Sequence, residues 1–215
     1  MRLLYRVGRV SAFVSAQAFC AERVFGLHHV PRCGAVLLAS NHQSFLDPLL
    51  VTCILPRECH YMARDTLFRN KYFARLLGAL NAFPIKRATA DIAGVRETLR
   101  RLKGGALVLT FPEGTRSSDG RILPFQPGTF TIARKAGVAV IPVAVEGAYD
   151  AWPRSGKFPR PARVWVEYGP PTPADVIANC EIKQIAVEFT ARVRALHNGL
   201  RRRIGRKPFA YDDLQ

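Results

Sequence analysis

Acidic side chains are scarce in this chain. Asp and Glu number 16 against 32 Lys and Arg in 215 residues, for a formal net charge of +16. Such an excess implies an anionic partner, either nucleic acid or the surface of an anionic membrane. Long apolar runs are missing as well. The best candidate, Val10 to Ala21, is interrupted by Ser11, Ser15 and Gln17. It falls short of the roughly 18 to 20 residues that a helix needs to cross a bilayer. The same interruptions argue against a cleaved signal peptide, although Arg2, Arg6 and Arg9 precede the run. Bulky Phe19 argues against lipidation of Cys20. The cysteines at 20, 33, 53, 59 and 180 are odd in number and scattered, with no CxxC and no Cys/His cluster at zinc-site spacing. That favours reduced thiols in a cytosolic setting. Gly104-Gly105 is not followed by the Gly-Lys-Ser/Thr of a phosphate-binding loop, and no GxSxG nucleophile elbow occurs. There is no internal repeat and no low-complexity segment.

The remaining composition is that of an ordinary globular domain. Apolar residues make up 48% and charged residues 22%, so the anomaly lies in the sign of the charge and not its amount. The length suits one domain with a sizeable core. Residues 1–25 read as an amphipathic helix in which Leu3, Leu4, Val7, Val10 and Val14 share a face, with Arg2, Arg6 and Arg9 elsewhere or at its edge. That face can pack on the domain's own core or lie in a bilayer interface with basic residues at headgroup level. One helix can do both. Downstream, strands are predicted at Gly34–Ser40, Cys59–Ala63 and Ala106–Phe111, and at Val138–Val145 around Pro142. Phe83–Lys86 reads as extended, and Arg163–Tyr168 as a more exposed strand. Helices are predicted from Asp47 to Leu55, Leu67 to Leu77, Ala90 to Lys103, Gly128 to Ala136 and Ile182 to Ile204. This alternation indicates an α/β domain.

Two blocks stand at the ends of predicted strands, where α/β sheets place ligands. In Asn41-His42-Gln43-Ser44-Phe45-Leu46-Asp47, His42 can accept a proton from an alcohol and return it to a leaving group, provided an acceptor holds its other ring nitrogen. Asp47 could fold back to do so, or could simply cap the helix beginning at Pro48. Ser44 reads as a turn residue. In Phe111-Pro112-Glu113-Gly114-Thr115-Arg116, Gly114 permits close backbone approach to a ligand, and Arg116 can hold a phosphate in a bidentate fork. Glu113 can orient an arginine or bond a ligand hydroxyl. Read alone, this block is better taken as a strand-end turn carrying an exposed ion pair. Lys86 and Arg87, in Phe83-Pro84-Ile85-Lys86-Arg87, make a basic turn or a phosphate contact. His28, His29, His60 and His197 have no comparable context.

Taken in order, these blocks resemble those of the glycerolphosphate acyltransferase family, in particular its 1-acylglycerol-3-phosphate (lysophosphatidate) acyltransferase group. The His-x4-Asp block is His42 to Asp47, the arginine-ending block is Asn81 to Arg87, and Phe-Pro-Glu-Gly-Thr-Arg is intact from Phe111 to Arg116. An apolar run around a proline is Val140-Ile141-Pro142-Val143-Ala144-Val145. Departures are Asn81 where glycine is common, Lys86 where an acid is common, and Gln126 where lysine is common.

The resemblance implies a single α/β domain with a mixed, mostly parallel sheet flanked by helices. Residues 1–25 would be the membrane-associating helix and 26–215 the acyltransferase domain. It implies transfer of a fatty acyl group to the free hydroxyl of a lysophospholipid, lysophosphatidate first. His42 would be the general base and Asp47 its orienting acid, while Arg87, Glu113, Gly114, Thr115 and Arg116 would bind substrate. The co-substrate would be acyl-CoA or acyl-ACP (the acyl carrier protein form), with no metal or other cofactor, because the thioester is already activated. The expected partners are the lysophospholipid and an anionic bilayer, and the expected location is the cytoplasmic face of the membrane, peripheral or monotopic. Nucleic acid is not expected. Arg201-Arg202-Arg203 with Arg206-Lys207 would suit it, but no helix-turn-helix, zinc-finger or RNP signature accompanies them. The alternatives are another lysolipid, including an aminolipid, and a non-catalytic anionic-lipid-binding protein.

Overall fold

The computed structural model describes residues 3–85 and 91–211. Helix α1 (Leu3–Cys20) leads into the short strand β1 (Arg23–Phe25). There follow β2 (Val36–Ser40), α2 (Asp47–Thr52), β3 (Cys59–Arg64), α3 (Lys71–Ala79), β4 (Ala82–Ile85), α4 (Ile92–Lys103) and β5 (Leu107–Thr110). Then come α5 (Gly128–Ala136), β6 (Ala139–Glu146), α6 (Ala148–Ala151), β7 (Trp165–Tyr168), α7 (Ala174–Asn179) and α8 (Ile182–Arg203).

The seven strands form one sheet in the order β1-β7-β6-β2-β5-β3-β4, parallel except for the β6–β7 pair. The central strands β2, β5 and β6 are apolar up to their last residues, Ser40, Thr110 and Glu146, because helices cover both faces. Leu38 lies between Leu109 and Ile141, and these side chains share one core with Ala16 and Cys20 of α1, Leu50 and Val51 of α2, and Leu77 of α3. One residue out of phase, Leu37, Val108 and Val140 face the other core with Phe130 of α5, Ile177 of α7 and Phe189 and Val193 of α8. From β2 the chain runs out to β3 and β4, returns through β5 and only then crosses to β6 on the other flank of β2. The carboxyl end of β2 therefore lies where the strand order reverses, the usual position of a ligand crevice.

Several predicted boundaries move for local reasons. The first helix ends at Cys20 and not near residue 25, because Arg23–Phe25 pairs in parallel with β7. That pairing also corrects the expectation of an exposed strand at 163–168. β7 lies inside the sheet, with Val166 and Tyr168 buried. α2 stops at Thr52. α3 starts at Lys71 because the Asn70 side chain caps it, accepting from the amides of Tyr72 and Phe73, and a 3-10 turn fills Asp65–Phe68. Asn81 takes a left-handed φ of 64°, so the turn tolerates its departure from glycine. The short α6 and α7 were not anticipated.

Helix α1 has two unlike faces. Tyr5, Ala16 and Cys20 are buried, the Cys59 amide donates to the Tyr5 hydroxyl at 2.9 Å, and the Arg9 guanidinium donates to the Leu55 carbonyl. Leu3, Val7, Val10 and Val14 of the apolar stripe point outward, each more than half exposed. Among the described residues no helix is long and apolar enough to cross a membrane.

Just past α1, Glu22 is buried. The Cys53 thiol donates to its Oε2 at 3.5 Å, while Oε1 has no hydrogen bond among the described residues. Burial pushes this carboxyl up to about 7 from an ordinary 4.5. As pH rises from 4.5 to about 7, the unfolded chain releases this proton before the folded one does, so stability falls across that window and the penalty persists above it. Glu22→Gln should match wild type at pH below the window and exceed it by roughly 2–3 kcal/mol above pH 7, as urea unfolding at both ends of the window would report.

Candidate active site

His42 emerges two residues beyond the end of β2. Asn41 fixes that exit, its Nδ2 donating to the Val145 carbonyl at 3.0 Å and its Oδ1 accepting from the Val145 amide at 2.7 Å. The chain then winds around Asp47. One carboxylate oxygen, Oδ2, accepts from the Gln43 amide at 2.6 Å, the Ser44 amide at 2.7 Å and His42 Nδ1 at 2.8 Å. Asp47 is therefore not the cap of α2, which begins without a side-chain cap bond at Leu46. Its carboxylate turns back into the loop. Because a carboxylate only accepts, the imidazole hydrogen resides on Nδ1, leaving Nε2 with a lone pair. The ring stacks on Phe111 with centroids 4.1 Å apart, and the side chain keeps 11% of its surface exposed, enough for a reactant to touch. Ser44 is buried in a turn, its hydroxyl donating to the Trp152 carbonyl and accepting from the Leu46 amide.

The block after β5 folds against this loop, since β2 and β5 are neighbours. Gly114 makes the tight turn at φ 70°, with its amide donating to the Phe111 carbonyl at 3.0 Å. The Ser117 amide donates to the His42 carbonyl at 2.7 Å. The Arg116 guanidinium lies 3.4 Å from the centroid of the Phe45 ring, a cation–π contact that brings it beside the histidine loop. The Thr115 hydroxyl accepts from Arg154 at 3.3 Å. β4 ends at Ile85 on this same edge of the sheet, and Lys86 and Arg87 lie outside the described residues.

The Glu113 side chain is buried, with Oε1 accepting from the His42 amide at 2.7 Å and Oε2 from the Leu123 amide at 3.0 Å. Both oxygens are used in joining three loop segments, so it acts as a positioning residue. Burial pushes its carboxyl up to about 8 against the pull of those two amides, and the Asp47 charge adds to the rise.

Other contributors were missed in the sequence. Phe45 and Phe111 lie within the motif blocks, yet nothing in their spacing shows that one stacks on Arg116 and the other on His42. Trp152 and Arg154 come from the far side of β6. Behind the histidine loop, His197 was read as unassigned. It is fully buried and meets Glu146 Oε2 at 2.6 Å, while Arg201 and Arg206 meet Oε1 at 2.8 and 2.9 Å. Burial alone would raise the Glu146 carboxyl, but its contacts with His197, Arg201 and Arg206 outweigh that and hold it below the ordinary value. Among the described residues no group of three or more His, Cys, Asp or Glu side chains is placed to hold a metal ion.

Residues 22–146 match the family described as Acyltransferase, more than half of the chain and all of the geometry just described except Trp152, Arg154 and the α8 contacts. The chain belongs to the acyltransferase family. It is 32% identical over 136 residues to the 1-acyl-sn-glycerol-3-phosphate acyltransferase of Bacillus subtilis (strain 168), covering 63% of this chain and 65% of that protein. It is 31% identical over 150 residues to the chloroplastic LPAT1 1-acyl-sn-glycerol-3-phosphate acyltransferase of Arabidopsis thaliana, covering 68% of this chain and 42% of that one. The alignments thus span less than two thirds of either relative. The crystal structure of the 1-acyl-sn-glycerophosphate acyltransferase PlsC from Thermotoga maritima superposes with a TM-score of 0.78, covering 97% of this chain and 80% of that one at 24% identity. The acyltransferase therefore shares its α/β fold, with an N-terminal helix and a mostly parallel sheet between helical layers.

Replacing Glu113 tests its positioning role. Glu113→Ala leaves the His42 and Leu123 amides without their acceptor, which should cost about 2–4 kcal/mol in urea unfolding, with Glu113→Gln intermediate because it retains one acceptor oxygen.

Proposed function

We propose that this acyltransferase moves a fatty acyl group from an acyl thioester, acyl-CoA or acyl-ACP, to the free hydroxyl of a lysophospholipid, with lysophosphatidate converted to phosphatidate as the first candidate. The observation that carries the reading is the 2.8 Å contact between His42 Nδ1 and Asp47, which orients a basic Nε2 on the accessible edge of the sheet. A lipid-binding module without chemistry has no use for that pair.

In this reading Nε2 of His42 takes the hydroxyl proton as the oxygen attacks the thioester carbonyl. The new C–O bond forms, and the tetrahedral intermediate collapses with loss of the C–S bond. The departing thiolate receives the proton back from the imidazolium. Asp47 stabilises that imidazolium between the two transfers. Arg116, beside the histidine loop, and Arg87, two residues past β4, would hold the acceptor's phosphate, and the Gly114–Thr115 turn would line its approach.

The lipid acceptor gives the outward stripe of α1 a role. Leu3, Val7, Val10 and Val14 would enter the bilayer interface while the helix's other face stays on the domain, an arrangement of peripheral or monotopic attachment at the cytoplasmic face. Residues 26–215 would then carry the chemistry. The net charge of +16 suits anionic headgroups, and it equally suits the acidic acyl carrier protein.

The test is product formation from lysophosphatidate and a long-chain acyl thioester, followed by thiol release and phosphatidate analysis. Wild type should turn over and a folded His42→Ala should lose at least about a hundredfold in kcat. Activity that survives in His42→Ala contradicts the assigned base. Silence of wild type with both thioester donors and with other lysolipids contradicts the acyltransfer reading of this site.

A further inference from the structure

A second apolar surface lies between β3 and β4. β3 runs parallel to β2 and β5 and delivers Arg64 to the same edge as His42, and the chain then forms the 3-10 turn and α3. The turn and α3 present Leu67, Tyr72, Phe73 and Leu76 to solvent, Tyr72 at 75% exposure. Tyr72, Phe73 and Leu76 are spaced by three and four residues, so they share one side of the helix. Of the α3 residues only Leu77 is buried. Arg64, Arg69, Lys71 and Arg75 lie in the same stretch of chain, all exposed and none in an ion pair among the described residues. Asp65 is the sole acid between Glu58 and Asp91. Leu80, just past α3, meets Gly8 of α1, so the two helices are neighbours.

We propose that Arg64–Leu80 is a second membrane-docking element, which settles Tyr72, Phe73 and Leu76 into the headgroup–acyl boundary of an anionic bilayer. An exposed apolar face accompanied by four cations that make no ion pair among the described residues matches that boundary better than it matches a protein groove, which would have to supply several carboxylates. Tyrosine suits the position because its ring is apolar and its hydroxyl stays hydrated. The stem of Lys71, whose ammonium lies 5.1 Å from the Tyr72 ring, can follow it into the interface. Docking here brings the bilayer to the edge where His42 stands, so a lysolipid reaches the imidazole with a short excursion from the membrane. This consequence alone rests on the acyltransfer reading, and the docking itself does not.

The test is cosedimentation of the full chain with phosphatidylcholine vesicles, with and without phosphatidylglycerol. One variant carries Tyr72→Ser, Phe73→Ser and Leu76→Ser. A second carries Arg69→Gln and Arg75→Gln, surface changes that leave the fold intact by circular dichroism even where the first variant does not. Wild type should prefer the anionic vesicles, and the charge variant should bind them about 30-fold more weakly, from roughly one basic-residue contribution lost at each site. The apolar variant should weaken at least about tenfold. Vesicle binding equal to wild type in the charge variant overturns the proposal, and so does absence of wild-type binding. A wild-type dimer that the apolar variant converts to a monomer overturns it in favour of a second copy on this face. Vesicle binding that depends on α3 in a chain that transfers no acyl group keeps the docking and removes the acyltransfer reading.

Discussion

A single oxygen, Oδ2 of Asp47, gathers three N–H groups and in doing so shapes the functional edge of this protein. Two come from consecutive backbone amides and the third from the His42 ring. The amides bind the carboxylate whatever the state of the histidine, so the loop is already folded around its acid before any substrate arrives. In the proposed reaction, preorganisation of this kind would remove reorganisation from the step in which charge develops. It also fixes the tautomer, and with it the direction in which the imidazole can receive a proton.

The remaining contacts reinforce that geometry from behind. Asn41 ties the loop's entry to β6, Glu113 holds the His42 amide to the turn after β5, and the Ser117 amide holds the His42 carbonyl. The histidine's backbone is thus held at both its polar groups by the segment from Phe111 to Ser117. Two sequence blocks far apart along the chain behave as one unit because their parent strands are adjacent in the sheet. The arginine of the second block, parked on Phe45, is carried to the first by the same packing. Positive charge and apolar surface then occur together on α1 and α3, on the same side of the sheet as α2, which the histidine loop leads into.

Much of this was legible in the sequence because its signals are local. Apolar runs that meet a polar residue only at their carboxyl ends mark the buried strands β2, β5 and β6, and the left-handed turn at Asn81 follows from the residue's tolerance for positive φ. The His42–Asp47 pairing could be suspected from five-residue spacing across a strand end. What could not be read was long-range. The inner position of β7 depends on a three-residue β1 whose Arg-Val-Phe carries no strand signature. The inward turn of Glu113 depends on amides from two other segments. The burial of His197 against Glu146 depends on how α8 packs on β6. Only the folded chain shows which face of α1 is covered, since Tyr5 and Gly8 anchor it through partners some 50 and 70 residues away.

The central claim is that Asp47 holds His42 as a base with its hydrogen on Nδ1. Imidazole nitrogen NMR of the labelled protein measures this directly. A neutral His42 with a hydrogen on Nδ1 and a bare Nε2, changing to a mixture of tautomers in Asp47→Ala, is the predicted result. A wild-type His42 that carries its hydrogen on Nε2 would contradict it.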